Sequence, residues 1–318
     1  MKNHKRLPSA DLRSYVKESA QSALSVECLA TELCDTPESH GDFEWQELPE
    51  PEPSVSLFCM PWDDPLQHDY LCSLPPLTPE LFLTLIVQRD SDEGDHKQRS
   101  EGWHRARAFC ITASQFGSAV GHNKYQSRPA LYRHKLHPHL NPLSSPYAQW
   151  GVEHEKHAEE AFSVFLQRKC GMFTIDHPNL FRHKDAPWVA CSPDGVLYRR
   201  ENERDVVELI EYKAPAYYRN KVGHPYMKDP YNIPRSYLDQ IQGTMWLMRN
   251  YDVVRGGRTV ERCWFVVWQP HALYVTHIPY LEEYAETLMR SVKDFYAKEF
   301  VPGCIEEVTK VQKSKVSN

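Results

Sequence analysis

The chain has 318 residues, enough for one large domain or two ordinary ones, and 37 Lys and Arg against 43 Asp and Glu give a formal net charge of -6. Taken whole, that balance speaks against a polyanion-binding protein. The longest apolar run, Leu81–Val87 broken by Thr84, is far short of the ~20 residues of a membrane span. Met1–Pro8 has no apolar stretch behind it and does not read as a secretory signal. Nine scattered cysteines without a CxxC pair read as reduced thiols of an intracellular protein, not as a disulfide frame or a zinc site.

In chain order, the charge separates before the elements do. Residues 1–100 hold 8 Lys and Arg against 19 Asp and Glu, a net of -11, while the remaining 218 residues carry a net of +5. Arg13–Leu24 is a candidate short helix. Glu38–Pro53 (ESHGDFEWQELPEPEP) has six acids, three prolines and no Lys or Arg, so it reads as disordered or as a docking peptide centred on Phe43–Leu48. Pro79–Gln88 is an amphipathic helix, and Arg89–Arg99 a polar linker. These signals divide the chain into an acidic, proline-rich extension (1–98), a folded domain (99–303) and a flexible polar tail (304–318).

Within the folded part, Glu101–Phe109, Ala113–Val120 (capped by Thr112), Pro129–Leu136 and Tyr147–Arg168 read as helices. Met172–Phe181, Trp188–Cys191, Val196–Tyr198 and Val206–Tyr212 read as strands. Pro234–Arg249 returns to helix, Val260–Trp268 and Leu273–Ile278 to strand, and Leu281–Phe300 closes as helix. This order predicts an α/β (α+β) fold with a sheet flanked by helices.

The chemistry concentrates between Ser192 and Lys213. Ser192-Pro193-Asp194-Gly195 places a carboxylate at a turn. In the strand that follows, alternation puts Val207, Leu209, Glu211 and Lys213 on one face. An acid and an amine ending an apolar strand are costly to desolvate unless they pair or serve a site. An Asp at a turn followed by Glu-x-Lys on the next strand is the arrangement of the PD-(D/E)xK nucleases. Asp194, Glu211 and the Tyr212 carbonyl make a hard oxygen set suited to Mg²⁺, or Mn²⁺. Cys191 beside the turn reads as a packing group.

Four segments in order resemble the lambda-phage exonuclease and YqaJ-type viral recombinase family. They are Trp103-His104-Arg105-Ala106-Arg107 with Ile111-Thr112-Ala113-Ser114; Gly151-Val152-Glu153-His154-Glu155-Lys156-His157-Ala158; Cys191–Gly195 with Glu211 and Lys213; and Tyr237–Trp246. The resemblance spans roughly residues 99–301 and implies a restriction-endonuclease-like core with a central mixed sheet. By the same resemblance Arg107, Ser114 and Ser192 bind the 5′-phosphate of a DNA end, Glu155 is the helix-borne carboxylate of the metal site, and Gln240 lies near the scissile phosphate. His154 and His157 lack the HExxH zinc spacing and read as surface or DNA-facing residues. Before the SPDG turn the family's extra acid has no aligned counterpart; His183 and Asp185 are the nearest residues.

The function so implied is a Mg²⁺-dependent 5′→3′ exonuclease acting on linear double-stranded DNA ends, in recombination, repair or viral genome processing. A single-strand annealing protein is the implied partner, and a trimeric ring or a monomer the implied assembly, inside a host cell in the nucleus or cytoplasm, with no membrane. A structure-specific endonuclease or a non-catalytic end-binding protein on the same fold stands as the alternative. The cysteines are too dispersed for an iron–sulfur nuclease. In this light the net charge sums an acidic extension and a basic region.

Overall fold

A computed structural model of the chain describes residues 26–29, 60, 62–64, 67–89, 101–138, 146–182, 185–218, 233–250, 254 and 258–316. Its centre is a six-stranded mixed sheet in the order β1-β8-β7-β6-β5-β3. The strands are β1 (Val26–Leu29), β3 (Phe173–Asp176), β5 (Gly195–Glu201), β6 (Arg204–Lys213), β7 (Arg262–Gln269) and β8 (Ala272–Pro279). Only β6 and β7 run parallel, and the other neighbours are antiparallel. A parallel pair needs a crossover, and here it includes helix α7 (Arg235–Asn250). A small parallel ladder joins β2 (Ile111–Thr112) to β4 (Val189–Ala190).

Strand alternation gives the sheet two buried faces. On one, Val207, Leu209, Phe265, Val267 and Tyr274 pack in a core that also takes in Ile241 and Met245 of α7 and Leu288, Met289 and Val292 of α8 (Glu282–Phe295). On the other, Leu197, Ile210, Tyr212, Trp264 and Val266 lie with Ala158, Phe162, Phe165 and Leu166 of a long helix spanning Pro146–Cys170. Those helical residues recur at three- and four-residue spacing, as a stripe facing a sheet requires.

Several elements differ from the sequence expectation. The helix expected over Ala113–Val120 is a 3₁₀ turn, Ala113–Gln115, followed by a single helical turn, Phe116–Ala119. There the Gln115 side chain accepts from Thr112 N at 3.1 Å. Of the strand expected over Met172–Phe181, only Phe173–Asp176 joins the sheet, and Phe181 makes a separate bridge to Cys191. The closing helix passes through a π turn at Tyr296–Phe300 and continues as Val301–Val316. The polar tail expected from 304 is therefore helical, because Cys304 and Val308 are buried and Gln312 donates to the carbonyls of Leu71 and Leu74. Those carbonyls belong to a short helix, His68–Ser73, and its end, within the expected extension, as does the helix Pro79–Arg89. Val26–Leu29, also in that extension, pairs with β8. Arg13–Leu24, Glu38–Pro53 and the segment 90–98 lie outside the described residues. Among the described residues no helix is long and apolar enough to cross a membrane.

Candidate active site

The antiparallel register of β5 on β6 sets Gly195 opposite Ile210, which leaves Asp194 at the entry of β5 beside the exit of β6. Asp194 Oδ2 accepts from the Tyr212 N–H at 2.8 Å. One residue on either side of Tyr212, Glu211 and Lys213 emerge on the opposite face, at the end of the Val207–Leu209 row. Glu211 is only 3% exposed. It accepts from Lys213 Nζ and, at 2.5 Å, from Gln240 Nε2 of α7. Burial and the neighbouring Asp194 carboxylate push Glu211 up to about 8, against the pull of Lys213. Burial works against the Lys213 ammonium, yet Glu211 and Asp194 hold its pKa above the ordinary lysine value. Lys213 is thus firmly cationic.

The Pro146–Cys170 helix covers the other face of the sheet, but its first half passes the end of β6. A Cβ added at Gly151 would sit 3.8 Å from the Ala214 carbonyl. One turn later Glu155 reaches round the strand end. Glu155, Asp194, Glu211, Lys213 and Gln240 line a single cavity of about 310 Å³, and Arg107, Ser114 and Ser192 line the same cavity. The ring of Tyr212 is instead in the core on the far face, so its backbone is the part beside the site. Asp185 is an exposed turn residue outside the cavity lining, and His183 falls outside the described residues.

At the far wall, helix α3 (Glu101–Arg107) ends in Arg107. Its guanidinium lies 3.6 Å over the Trp103 ring centroid and donates to Thr112 Oγ1 at 3.2 Å. Thr112 Oγ1 is in turn 3.3 Å from Ser114 Oγ. Among the described residues Arg107 makes no ion pair with a carboxylate, and burial lowers its pKa to about 10. A desolvated guanidinium and two hydroxyls, 107–114, make a wall suited to an anion.

The Tyr237–Trp246 helix divides its polar residues by face. Gln240 serves the cavity. Gln242 donates to the Pro279 carbonyl at 2.8 Å and accepts from Leu281 N at 2.8 Å, tying α7 to the β8–α8 turn. Asp239 is fully buried and accepts from Tyr284 OH, with His122 Nδ1 at 2.8 Å. These four bonds fix α7 and so the reach of Gln240. Sequence reasoning missed Asp239, His122 and also His177, whose Nδ1 donates to the Asp194 carbonyl at 3.0 Å. It also left Val152 and Leu180 of the cavity unassigned. No spacing signal marks such contacts, which join residues 17 to 117 apart in the chain.

His154 and His157 point away from the cavity. They stack with Trp150 and Trp268, the Trp150–His154 centroids being 3.7 Å apart. Among the described residues no group of three or more His, Cys, Asp or Glu side chains stands close enough to hold a metal ion.

Residues 102–249 match the YqaJ-like viral recombinase domain. The matched segment is 148 of the 318 residues, a little under half of the chain. Every cavity residue named above falls inside this YqaJ-like segment, whereas β7, β8 and α8 follow it. Protein D345L of African swine fever virus (strain Badajoz 1971 Vero-adapted) is 23% identical over 192 residues, covering 53% of this chain and 49% of that protein. The chain thus spans about half the length of this curated relative. Among solved structures, the alkaline exonuclease LHK-Exo of Laribacter hongkongensis is similar at a TM-score of 0.48 and 21% identity, covering 68% of this chain and 100% of that one. The Shutoff and Exonuclease Protein of Kaposi's sarcoma-associated herpesvirus is similar at 0.43 and 9%, covering 76% and 77%.

Proposed function

We propose that this chain is a divalent-cation-dependent nuclease that degrades one strand of linear duplex DNA, 5′→3′, from a 5′-phosphorylated end. The observation that carries the reading is one cavity lined by Glu155, Asp194, Glu211, Lys213 and Gln240 on one side and by Arg107, Ser114 and Ser192 on the other. The first group matches phosphodiester hydrolysis, and the second matches capture of a terminal phosphate.

The donor set fits a hard cation in kind. Three carboxylates face one cavity, and burial beside Asp194 raises the Glu211 pKa to about 8, so a cation there would relieve a shortage of positive charge. Asp194, Glu211, Glu155 and the Tyr212 carbonyl would hold Mg²⁺ or Mn²⁺, which would polarise the scissile phosphate and lower the pKa of a water. The chain's own residues do the rest. Lys213, kept protonated by Glu211 and Asp194, steadies the attacking oxygen and offsets charge developing on the phosphate. Gln240 fixes the Glu211 carboxylate by its 2.5 Å bond. Arg107 and Ser114 grip the terminal phosphate, with Ser192 beside Asp194, and this sets the end from which hydrolysis proceeds. The unit proposed for this activity is residues 99–303 with the helix Val301–Val316 packed on it, and duplex DNA ends are the proposed partner.

The test is digestion, with Mg²⁺, of linear duplexes bearing 5′-phosphate or 5′-hydroxyl ends beside a closed circular plasmid. The expected result is fast loss of the 5′-phosphorylated duplex, slower loss of the 5′-hydroxyl duplex, and an intact circle. Cleavage of the circle at a comparable rate would replace this reading with an endonuclease.

A further inference from the structure

Helix α3 ends at Arg107, and the last carbonyls of a helix need partners from outside it. At this end the partners come from below. Lys135, in the helix Arg128–Leu136, donates from Nζ to the Arg107 carbonyl at 2.7 Å. Cys110 Sγ approaches the same oxygen at 3.6 Å, and Tyr296 OH donates to the Phe109 carbonyl at 2.9 Å. Arg107 is therefore fixed at both ends, its side chain by Trp103 and Thr112 and its backbone by Lys135.

Lys135 is only 7% exposed. Among the described residues it has no carboxylate partner, and neither has Arg107. The nearest compensation is weak: the negative end of α3 and the Phe300 ring, whose centroid is 5.8 Å from Nζ. A methionine would fill this interior without desolvating an ammonium. Burial, helped by the neighbouring Arg107, lowers the Lys135 pKa to about 8 against the opposing pull of Cys110 and Cys304. A buried ammonium beside a half-buried guanidinium, neither with a carboxylate partner among the described residues, makes a field that an incoming dianion would relieve.

We propose that Lys135 is a positioning residue for the 5′-phosphate site: it holds the Arg107 carbonyl so that the guanidinium faces the cavity, and its charge favours a terminal phosphate over a terminal hydroxyl. This rests on the reading of Arg107 as the phosphate ligand.

The experiment is steady-state digestion of 5′-phosphorylated and 5′-hydroxyl duplexes by wild type, Lys135→Met, Lys135→Gln and Arg107→Ala proteins, each checked for cooperative thermal unfolding. In Lys135→Met the KM for the phosphorylated duplex rises about tenfold, with kcat and the KM for the hydroxyl duplex within about twofold of wild type. Lys135→Gln, which keeps a donor but loses the charge, falls between, and it decides the matter if Lys135→Met does not fold. A folded variant that keeps the wild-type preference for phosphate overturns the proposal. If Arg107→Ala also keeps that preference, the failure belongs to the phosphate reading; if Arg107→Ala loses it, the failure belongs to Lys135 alone.

Discussion

At the scale of single residues, the site is governed by where charge is placed out of water. Glu211 is buried between a cation and an amide, and its carboxyl is raised because burial and Asp194 outweigh Lys213. Glu211 and Asp194 hold the Lys213 pKa above the ordinary lysine value, and the part proposed for it is electrostatic. Lys213→Met is expected to slow hydrolysis by about 10²–10⁴-fold, with the fold retained because the aliphatic stem is replaced in kind. Single-turnover digestion measures this, and a loss below about threefold would remove Lys213 from the mechanism. Much of this was legible beforehand. Alternation along 206–213 puts Glu211 and Lys213 on the Val207–Leu209 face, and the structure has them there. Glu155 was different, since four acids lie within 153–160 and only the resemblance to known nucleases selects one. Lys135 and Asp239 carried no sequence signal, because their partners are a backbone carbonyl and a histidine on other elements.

At the scale of elements, two close approaches hold α7 against the Phe116–Ala119 turn. A Cβ at Gly243 of α7 would collide with the Phe116 ring, and one at Gly117 would come within 2.7 Å of Ser236. Gly243→Ala is expected to cost about 1–3 kcal/mol, read as a lowered urea midpoint. Beneath the sheet, Glu208 is fully buried and accepts from Arg199 at 2.7 Å, from Trp264 Nε1 at 2.9 Å and from Arg262. Burial would raise its pKa, but these partners hold it below the ordinary carboxylate value. Its contribution is present above that value and lost as pH falls through the lower native one.

His277, whose ring centroid lies 3.5 Å from that of Trp264 at a tilt of 53°, acts earlier in the same direction. Burial lowers it from 6.5 to about 4 despite Glu208, so the unfolded chain takes up a proton first and stability falls between those two pH values. That loss is on the order of 3 kcal/mol. Urea unfolding at both ends of the window should show the loss in wild type and a smaller one in His277→Gln; equal losses would contradict this. The helices and strands themselves followed from periodicity. The break after Gln115 did not, because a capped apolar run looks the same whether it continues or turns.

At the scale of the whole molecule, the net charge of -6 conceals a division between an acidic first hundred residues and a basic remainder. The cavity of the proposed site lies in the basic part, yet residues before 90 are not all separate from that part. Residues 71–74 bond to Gln312, and Val26–Leu29 extends the sheet. Truncation after Val301 is therefore expected to lower the thermal midpoint by several degrees or more, because it removes buried Cys304 and Val308 and strands the Leu71 and Leu74 carbonyls. The end of the chain looked like a tail because Lys310–Lys315 is polar, whereas its apolar residues sit one helical turn apart on a single face.

The central claim is that Asp194, Glu155 and Glu211 act together on a phosphodiester. It is tested most directly by following a 5′-phosphorylated linear duplex with wild type and Asp194→Ala proteins in Mg²⁺. Wild type should release nucleotides from the 5′ end and stop on adding chelator, and Asp194→Ala should be slower by on the order of 10³-fold or more. Digestion by Asp194→Ala at the wild-type rate would contradict the account.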